Sequence, residues 1–216
     1  GKFLTGTIYL RDHITLEFEA GAILLGSTRV MDYPIYFTNY PSWADQYSVR
    51  TLILAEGVEN IAITGRGTIH GQGEAFLDFI ATDAEVAAIT RQMPDSSRYK
   101  IKAQYANRPS IIWFINCRDV LVEGVTLQNS AMWLQHYVHC RHLTLQNLRV
   151  INHCNRNNDM MDIDSCQDVL VTGCYGDTID DAVTLKSNGP DPLENVTISN
   201  CILRSHVNAI KTGTES

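Results

Sequence analysis

The sequence lacks any run of about 18 apolar residues, so it predicts no helix that crosses a membrane. It also lacks a secretory leader. Residues 1–8 have the pattern of a strand approaching a turn, so we expect the sequence to begin inside a longer protein. Basic charge is scarce as well. The net charge of −7 argues against a nucleic-acid partner, although a local basic patch would still accept an anionic sugar polymer.

The six cysteines lack the Cys-x-x-Cys spacing of a structural metal site. Cys117, Cys140 and Cys166 each open one of three similar segments, which favours thiols stacked in an interior and leaves disulfides as the alternative. The chain has 216 residues and is 44% hydrophobic, so we expect one domain over residues 1–216 with a sizeable core. We expect this domain to be a monomer.

Short β-rich segments recur along the chain. Each begins with a polar turn, continues with alternating apolar residues and ends in Gly or Asn. Corresponding apolar positions are 23, 26 and 27 residues apart, at Val120, Leu143, Val169 and Val196. Weaker copies occupy residues 11–16 and 58–65. This near-constant period predicts an all-β solenoid of the parallel β-helix type, because a sandwich would not repeat its turn chemistry at one offset. The Leu-x-x-Leu-x-Leu frame of the leucine-rich repeat is not sustained.

Two stretches interrupt the repeat. Residues 31–50 contain several aromatic residues, and residues 71–109 contain a helical pattern over about 81–91 followed by a turn pattern at 94–97. Long insertions in a solenoid project from one face and often form the walls of a cleft. The alternative for either insertion is a decorative loop.

Aspartates are concentrated between Asn157 and Lys186. Asp159 precedes the adjacent pair Asp180 and Asp181 by 21 and 22 positions, which is about one solenoid coil. Stacked coils would therefore bring the three carboxylates together, and their mutual repulsion should raise at least one pKa. Such a trio suits acid/base attack on a glycosidic bond. An Asp/Asn turn ladder and a calcium site are the alternatives.

The same coil shifts predict two columns of side chains at this place. One column contains Trp133, Asp159, Asp181 and Asn208; the other contains His136, Asp162, Thr184 and Lys211. Asp162 and Asp164 flank the interior residue Ile163, so both should face outward. We expect Asp164 to pair with Lys186.

Several residues of these columns are candidates for substrate contact. Trp133 would stack on a sugar or fill a bend, and His136 would contact substrate or bond to Asp162. Lys186 and Lys211 would attract an acidic sugar or pair with the surrounding aspartates.

These motifs resemble glycoside hydrolase family 28, the polygalacturonase group. The Asn-x-Asp motif of the family is matched by Asn157-Asn158-Asp159, and its Asp-Asp motif by Asp180-Asp181. Further phrases similar to the family lie at residues 4–10, 19–27, 65–73, 108–109 and 130–133. The resemblance implies a right-handed, single-stranded parallel β-helix of the pectin lyase-like kind, a secreted or periplasmic location and no metal or cofactor. It also implies an inverting hydrolase of a pectin-like polysaccharide, and it makes Asn157 a substrate-binding residue.

In such an enzyme Asp180 would protonate the leaving oxygen, while Asp159 and Asp181 would activate water across a gap of roughly 6.5–9.5 Å between acid and base. The sequence departs from the family where Asn208 replaces a histidine, and where the later Arg-Ile-Lys segment is not reached before Ser216. We expect the β-helix to continue beyond that residue. Two alternatives are a Ca²⁺-dependent polysaccharide lyase and a non-catalytic glycan-binding solenoid.

Overall fold

The computed structural model describes residues 1–47, 49–93 and 101–214, so the turn pattern at 94–97 lies outside the described residues. The described chain forms strands β1–β20, numbered in chain order, in three parallel sheets. Sheet A contains β1 Lys2–Thr5, β4 Ile23–Gly26, β7 Thr68–His70, β10 Thr126–Gln128, β13 Arg149–Asn152, β16 Tyr175–Thr178 and β19 Ile202–Ser205. Sheet B contains β2 Ile8–Tyr9, β5 Thr51–Glu56, β8 Ser110–Ile115, β11 Gln135–Val138, β14 Met161–Asp164, β17 Val183–Lys186 and β20 Ile210–Thr212. Sheet C contains β3 Thr15–Phe18, β6 Glu59–Gly65, β9 Arg118–Glu123, β12 Arg141–Gln146, β15 Gln167–Thr172 and β18 Glu194–Ser199.

The order of the strands defines a parallel β-helix. The chain visits sheets A, B and C in turn, and each strand pairs with the strand three places later in the sequence. In sheet C, Leu143 pairs with Val120 and Val169, and Val169 pairs with Val196. The predicted shifts of 23, 26 and 27 residues are therefore the observed register. The solenoid prediction is confirmed.

Alternation along each strand fills the interior. In β12, Leu143 and Leu145 are fully buried, whereas Arg141 and His142 are exposed. Burial of such apolar side chains removes about 25 cal/mol of unfavourable hydration free energy for each Å². Cys117, Cys140 and Cys166 are free and buried in this same core, as expected of stacked thiols.

Turn chemistry explains how the coils repeat. The second residue of successive sheet C strands has a positive φ, and it is Asn60, Asp119, His142, Asp168 or Asn195. Asn, Asp and His tolerate this left-handed conformation better than most residues, because short polar side chains bond to neighbouring backbone or side chains. Asn195 donates such a bond to Asp168 on the preceding coil at 3.0 Å.

Both insertions leave the solenoid at the corner where sheet A passes into sheet B. Residues 27–50 connect β4 to β5 and include the 3₁₀ turns Val30–Asp32 and Trp43–Gln46. Residues 71–109 connect β7 to β8 and include the 3₁₀ turn Gly73–Phe76 and helix α1, Asp83–Thr90. Thr82 caps α1 through a capping box with Glu85. Among the described residues, no helix has the length and apolar character needed to cross a membrane.

The insertions pack on each other in a small core of their own. Val49 from the first insertion lies in one cluster with Ala81, Ile89, Ile101 and Ala106 from the second. This cluster is separate from the main core of the solenoid. The two insertions therefore form one covering layer beside the A-to-B corner.

Candidate active site

The three acid candidates lie in turns at that same A-to-B corner. Asp159 lies between β13 and β14, whereas Asp180 and Asp181 lie between β16 and β17 on the next coil. The backbone N–H of Met160 donates to the carbonyl of Asp181 at 3.0 Å, so the two turns are held in register. The backbone ladder of the solenoid thus determines how closely the acids approach.

The three carboxylates converge. One carboxylate oxygen from each of Asp159, Asp180 and Asp181 lies within 4.8 Å of one from each of the others. Asp159 and Asp181 are 4% and 2% exposed, while Asp180 is half-buried. This oxygen spacing is shorter than the roughly 6.5–9.5 Å that we expected between acid and base. The spacing by itself therefore does not specify inversion.

Backbone contacts orient the Asp180-Asp181 turn. The hydroxyls of Thr178 and Ser205 both donate to the Asp180 carbonyl, at 2.6 and 2.7 Å. The Asp181 N–H donates to the Asp180 carboxylate at 2.9 Å. Because the main chain is fixed from both sides, the Asp180 side chain has a defined position at the edge of the trio.

Asp181 accepts hydrogen bonds from the next coil. The Asn208 side-chain amide donates to one of its oxygens at 2.7 Å, and the Lys211 ammonium donates to the other at 2.9 Å. The hydrogen bond to Asp181 raises the pKa of Lys211 above its ordinary value. The contact with Asn208 is the one that the first column predicts. Lys211 is the strand partner of Thr184, as the second column predicts, and its side chain reaches across to Asp181. These contacts fix the position of the Asp181 carboxylate beside Asp159 and Asp180.

Asp159 has the opposite environment. Burial raises the pKa of Asp159 well above its ordinary value, and the charges of Asp162, Asp180 and Asp181 raise it further. Its Oδ1 atom has no hydrogen-bond partner among the described residues. The predicted elevation of one carboxyl pKa in the trio is therefore found at Asp159, which holds the proton of the group most readily.

Asn157 is positioned by a residue that the sequence pattern did not single out as functional. Arg108 is 5% exposed and donates to the Asn157 side-chain oxygen at 3.3 Å and to the Ala131 carbonyl at 2.8 Å. It also bonds to the Arg156 carbonyl. The sequence did mark Arg108-Pro109 as similar to the family. It did not show that Arg108 contacts Asn157, which is 49 residues away in the sequence.

The second column agrees with the predicted register but corrects one ion pair. His136 pairs with Asp162 and Asp162 pairs with Thr184 in sheet B. Lys186 is the strand partner of Asp164 on the next coil, but its ammonium lies 3.6 Å from Asp162. The expected ion pair between Lys186 and Asp164 is therefore wrong. Burial raises the pKa of Asp162, although Lys186 and His136 oppose this shift.

Asp164 is instead satisfied by neutral donors. It accepts bonds from the Ser42 hydroxyl at 3.0 Å and from the Asn188 backbone N–H at 2.8 Å. Burial would raise the pKa of Asp164, but His136 and these donors lower it below its ordinary value. Ser42 lies on the first insertion, so the covering layer supplies a hydrogen bond to Asp164. Asp162 is the aspartate that pairs with Lys186.

Two further candidates for substrate contact are covered in this structure. His136 is 2% exposed, and its Nε2 lies 3.8 Å from Asp164 rather than bonding to Asp162. Trp133 is 6% exposed and packs against Tyr47, with the Lys186 ammonium 4.9 Å from its ring centre. This burial favours the bend-filling role of Trp133 over sugar stacking.

The oxygen cluster has the spacing needed to bind a cation. Ca²⁺ takes six to eight oxygen ligands at about 2.3–2.6 Å. Both Asp181 oxygens already accept protein hydrogen bonds, one of them from the cationic Lys211. The charge of Lys211 opposes a metal ion at this position, so the residues fit proton chemistry better than metal binding.

Fold and site together define a parallel β-helix with a trio of carboxylates at one corner. The chain belongs to the glycosyl hydrolases family 28, whose family model matches residues 10–206. This result confirms the resemblance identified from the two aspartate motifs.

Individual relatives agree with the family. A Vitis vinifera protein named "Probable polygalacturonase" is 28% identical over 195 residues, covering 87% of this chain and 35% of the relative. The Dickeya chrysanthemi "Exo-poly-alpha-D-galacturonosidase" is 24% identical over 256 residues, covering 100% of this chain and 41% of the relative. The exopolygalacturonase structure from Thermotoga maritima matches with a TM-score of 0.77 and 28% identity, covering 100% of this chain and 54% of that one. The chain thus spans well under half the length of these two curated relatives.

Proposed function

We propose that this chain hydrolyses O-glycosidic bonds of a pectin-like polysaccharide, with inversion at the anomeric carbon. The observation that carries the hydrolytic part of the proposal is the convergence of Asp159, Asp180 and Asp181 to within 4.8 Å at one corner of the solenoid. Inversion is proposed from membership of family 28 and not from this spacing. Membership of family 28 and the polygalacturonase names of its relatives support the substrate class. A plant-wall substrate would place the enzyme outside the cytoplasm, in a secreted or periplasmic location.

In this proposal Asp180 donates a proton to the leaving oxygen. Its half-buried side chain is the most accessible of the trio, and its backbone is fixed by Thr178 and Ser205. Asp181, held in place by hydrogen bonds from Asn208 and Lys211, activates water together with Asp159. Because burial raises the pKa of Asp159, Asp159 must give up its proton before it acts as a base. In the proposal the Asp180 carboxylate, within 4.8 Å, takes that proton and passes it to the leaving oxygen.

The solvent exposure of each candidate side chain indicates which of them would contact the substrate. Asn208 is exposed, whereas Asn157 and Lys211 are half-buried beside the acids, so these three side chains would contact the sugar units flanking the scissile bond. Trp133, His136, Asp162 and Lys186 lie beneath the covering layer. In the proposal these four residues hold the acids and their neighbours in place. They would contact the substrate only if the covering layer moved.

The test is Asp180→Asn, assayed on de-esterified polygalacturonate. Loss of a general acid should lower kcat by about 10²–10⁴-fold, because the leaving oxygen is no longer protonated. The loss should be much smaller on an aryl glycoside whose leaving group needs no proton. Asp168→Asn is the matched control, because Asp168 is exposed on sheet C and asparagine also tolerates its φ of 57°.

Product analysis separates the alternatives. Hydrolysis gives saturated products whose first-formed anomer is visible by ¹H NMR, and activity should survive a chelator. Unsaturated products that absorb in the ultraviolet, together with loss of activity in chelator, would identify a lyase. Binding without products in the unmodified protein would identify a glycan-binding solenoid. Unchanged turnover of Asp180→Asn would refute the role of Asp180.

A further inference from the structure

A column of polar side chains lies at the end of sheet A, next to the turns that carry the acids. It contains Asn152, Thr178 and Ser205, the last residues of β13, β16 and β19, which pair with one another in register. Asn152 and Thr178 are fully buried, and Ser205 is half-buried. Buried polar groups are almost always hydrogen-bonded, and the Asn152 amide donates to the Asp159 carbonyl at 3.1 Å. The column therefore contacts the backbone of the first acid.

The same column holds the second acid by two hydrogen bonds to one atom. The hydroxyls of Thr178 and Ser205 both donate to the Asp180 carbonyl oxygen, at 2.6 and 2.7 Å. The Val207 N–H donates to the Ser205 hydroxyl oxygen at 2.9 Å, so this hydroxyl accepts one bond and directs its own proton at Asp180. A carbonyl oxygen has two lone pairs, and both have a donor here. The Asp180 carbonyl is thus bonded from its own coil and from the next one.

The peptide group between Asp180 and Asp181 connects these hydroxyls to the carboxylate. Its oxygen is the carbonyl that accepts both bonds, and its N–H donates to Oδ1 of the Asp180 side chain at 2.9 Å. Hydrogen bonds in a chain polarise one another, by about 10–30% for each bond, so the two hydroxyls make this N–H a stronger donor. Among the described residues, no protein donor to Oδ2 of Asp180 is found. Oδ2 is therefore the oxygen that is free to carry a proton.

We propose that Thr178 and Ser205 are positioning residues for proton donation by Asp180, and that they act through this peptide group. The proposal rests on the proposed hydrolase function. As the glycosidic bond breaks, the O–H bond at Oδ2 of Asp180 also breaks. The proton passes to the leaving oxygen, and the electron pair stays on the carboxylate. The Asp181 N–H stabilises the charge that develops there, because it is already directed at Oδ1.

The test removes the two hydroxyls in Thr178→Val, in Ser205→Ala and in the double variant, with de-esterified polygalacturonate as the substrate. One neutral hydrogen bond corresponds to a factor of about 2–10, so each single variant should lower kcat by that factor. The double variant leaves the carbonyl without a hydroxyl donor. Its kcat should fall about 10²-fold, because a small misplacement of a catalytic group has an effect of that size. KM should not change, since neither hydroxyl contacts the substrate in this proposal.

Two comparisons separate positioning from a general loss of structure. Thr178→Ser and Ser205→Thr keep the hydroxyls and should retain the kcat of the unmodified protein. On an aryl galacturonide whose leaving group needs no proton, Thr178→Val/Ser205→Ala should be as fast as the unmodified protein, because proton donation no longer limits the rate.

The chain offers a matched control pair on sheet C. Thr172 and Ser199 are the last residues of β15 and β18, they pair in register, and their hydroxyls are 3.1 Å apart. Thr172→Val/Ser199→Ala removes the same groups from another sheet and should leave kcat unchanged. Amide hydrogen exchange gives a readout that does not depend on activity. The Asp181 N–H should exchange faster in Thr178→Val/Ser205→Ala and at the original rate in the control.

The outcomes distinguish this proposal from the hydrolase proposal. Unchanged kcat in Thr178→Val/Ser205→Ala, when Asp180→Asn loses hydrolysis, would overturn the positioning role and leave the hydrolase function standing. An equal loss on polygalacturonate and on the aryl galacturonide would also overturn it, since the hydroxyls would then act on something other than proton donation. Absence of cleavage by the unmodified protein would refute the hydrolase function itself.

Discussion

At the scale of single residues, the environment of Asp159 makes the stability of the folded chain depend on pH. Burial and three neighbouring acids raise its pKa in the folded chain above the ordinary value of 3.8. Between 3.8 and the folded pKa, the folded state therefore binds more protons at this site than the unfolded state. Stability must fall as pH rises through that interval, with a limiting slope of about 1.4 kcal/mol per pH unit for one proton.

Asp159→Asn removes this titration, because an amide has no charge to bury. We expect the stability of the variant relative to the unmodified protein to increase as pH rises from about 4 and to become constant above the folded pKa. Denaturant unfolding of both proteins across pH 3.5–8 measures the difference. A difference that is constant, or that shrinks with rising pH, would contradict the raised pKa.

Lys186 and Lys211 each contact an aspartate, but only one of them is deeply buried. Lys186 is 4% exposed beside the fully buried Asp162, whereas the Lys211 side chain is 30% exposed. Lys186→Met should lower the free energy of unfolding by about 3 kcal/mol, because it leaves a buried carboxyl without its cation. Lys211→Met should change stability by less than about 1 kcal/mol and lower kcat instead. Chemical denaturation and kinetic assays of the Lys186→Met and Lys211→Met variants measure these effects. Equal losses of stability in the two variants would contradict the argument from burial.

Residue-level pairing was only partly predictable. Strand alternation correctly placed Ile163 in the main core and Asp164 against the insertion, where it accepts a bond from Ser42. The coil shifts correctly placed Asn208 beside Asp181 and Lys211 beside Thr184, but they did not predict the bond from Lys211 to Asp181. The choice between Asp162 and Asp164 depends on Ser42, which is 122 residues from Asp164 in the sequence. No periodic pattern contains that contact.

At the scale of elements, the left-handed positions control how coils stack. Asn195 has a φ of 55° at the second residue of β18 and bonds to Asp168 below it. Asn195→Gly keeps the backbone conformation accessible and should cost under about 1 kcal/mol. Asn195→Val should cost about 2 kcal/mol more, because a β-branched residue strongly disfavours positive φ. Thermal unfolding compares the two, and a valine variant as stable as the glycine variant would mean that the turn relaxes to another conformation.

The sheets could be predicted from the sequence because each coil repeats the same order of turn, strand and bend. A polar left-handed residue, an alternating strand and a Gly or Asn bend recur, so the alignment of these segments predicts the register of sheet C. The shift of 22 residues between β14 and β17 in sheet B is different, and the spacing of the aspartates predicts it. Gly173 shows how tightly the bends fit, since its φ is 66° and a Cβ there would lie 2.5 Å from the Asn147 side-chain oxygen. The insertions occur once each, so the sequence predicts their presence and the helical stretch but not their packing partners.

At the scale of the whole molecule, the described residues form a main hydrophobic core and three smaller clusters. The main core runs through the stacked coils, and one of the smaller clusters joins the two insertions around Ile89. Another joins Ala44 and Tyr47 of the first insertion to Trp133. The covering layer therefore contacts the corner that carries the three aspartates while it keeps a core of its own.

Ile89→Ala should consequently loosen the covering layer before it loosens the solenoid. Ile89 is 2% exposed, and truncation of a buried isoleucine costs about 2–5 kcal/mol locally. Amide hydrogen exchange should accelerate in residues 31–47 and 81–90 and remain slow in β8–β15. The value of kcat/KM should also fall, because Tyr47 would no longer hold Trp133 in place. Ile63→Ala is the matched control, since Ile63 is fully buried in the main core and should lower the protection of the stacked strands. If both variants accelerate exchange uniformly, the molecule has one cooperative core, and the insertions are as much a part of its stability as the coils.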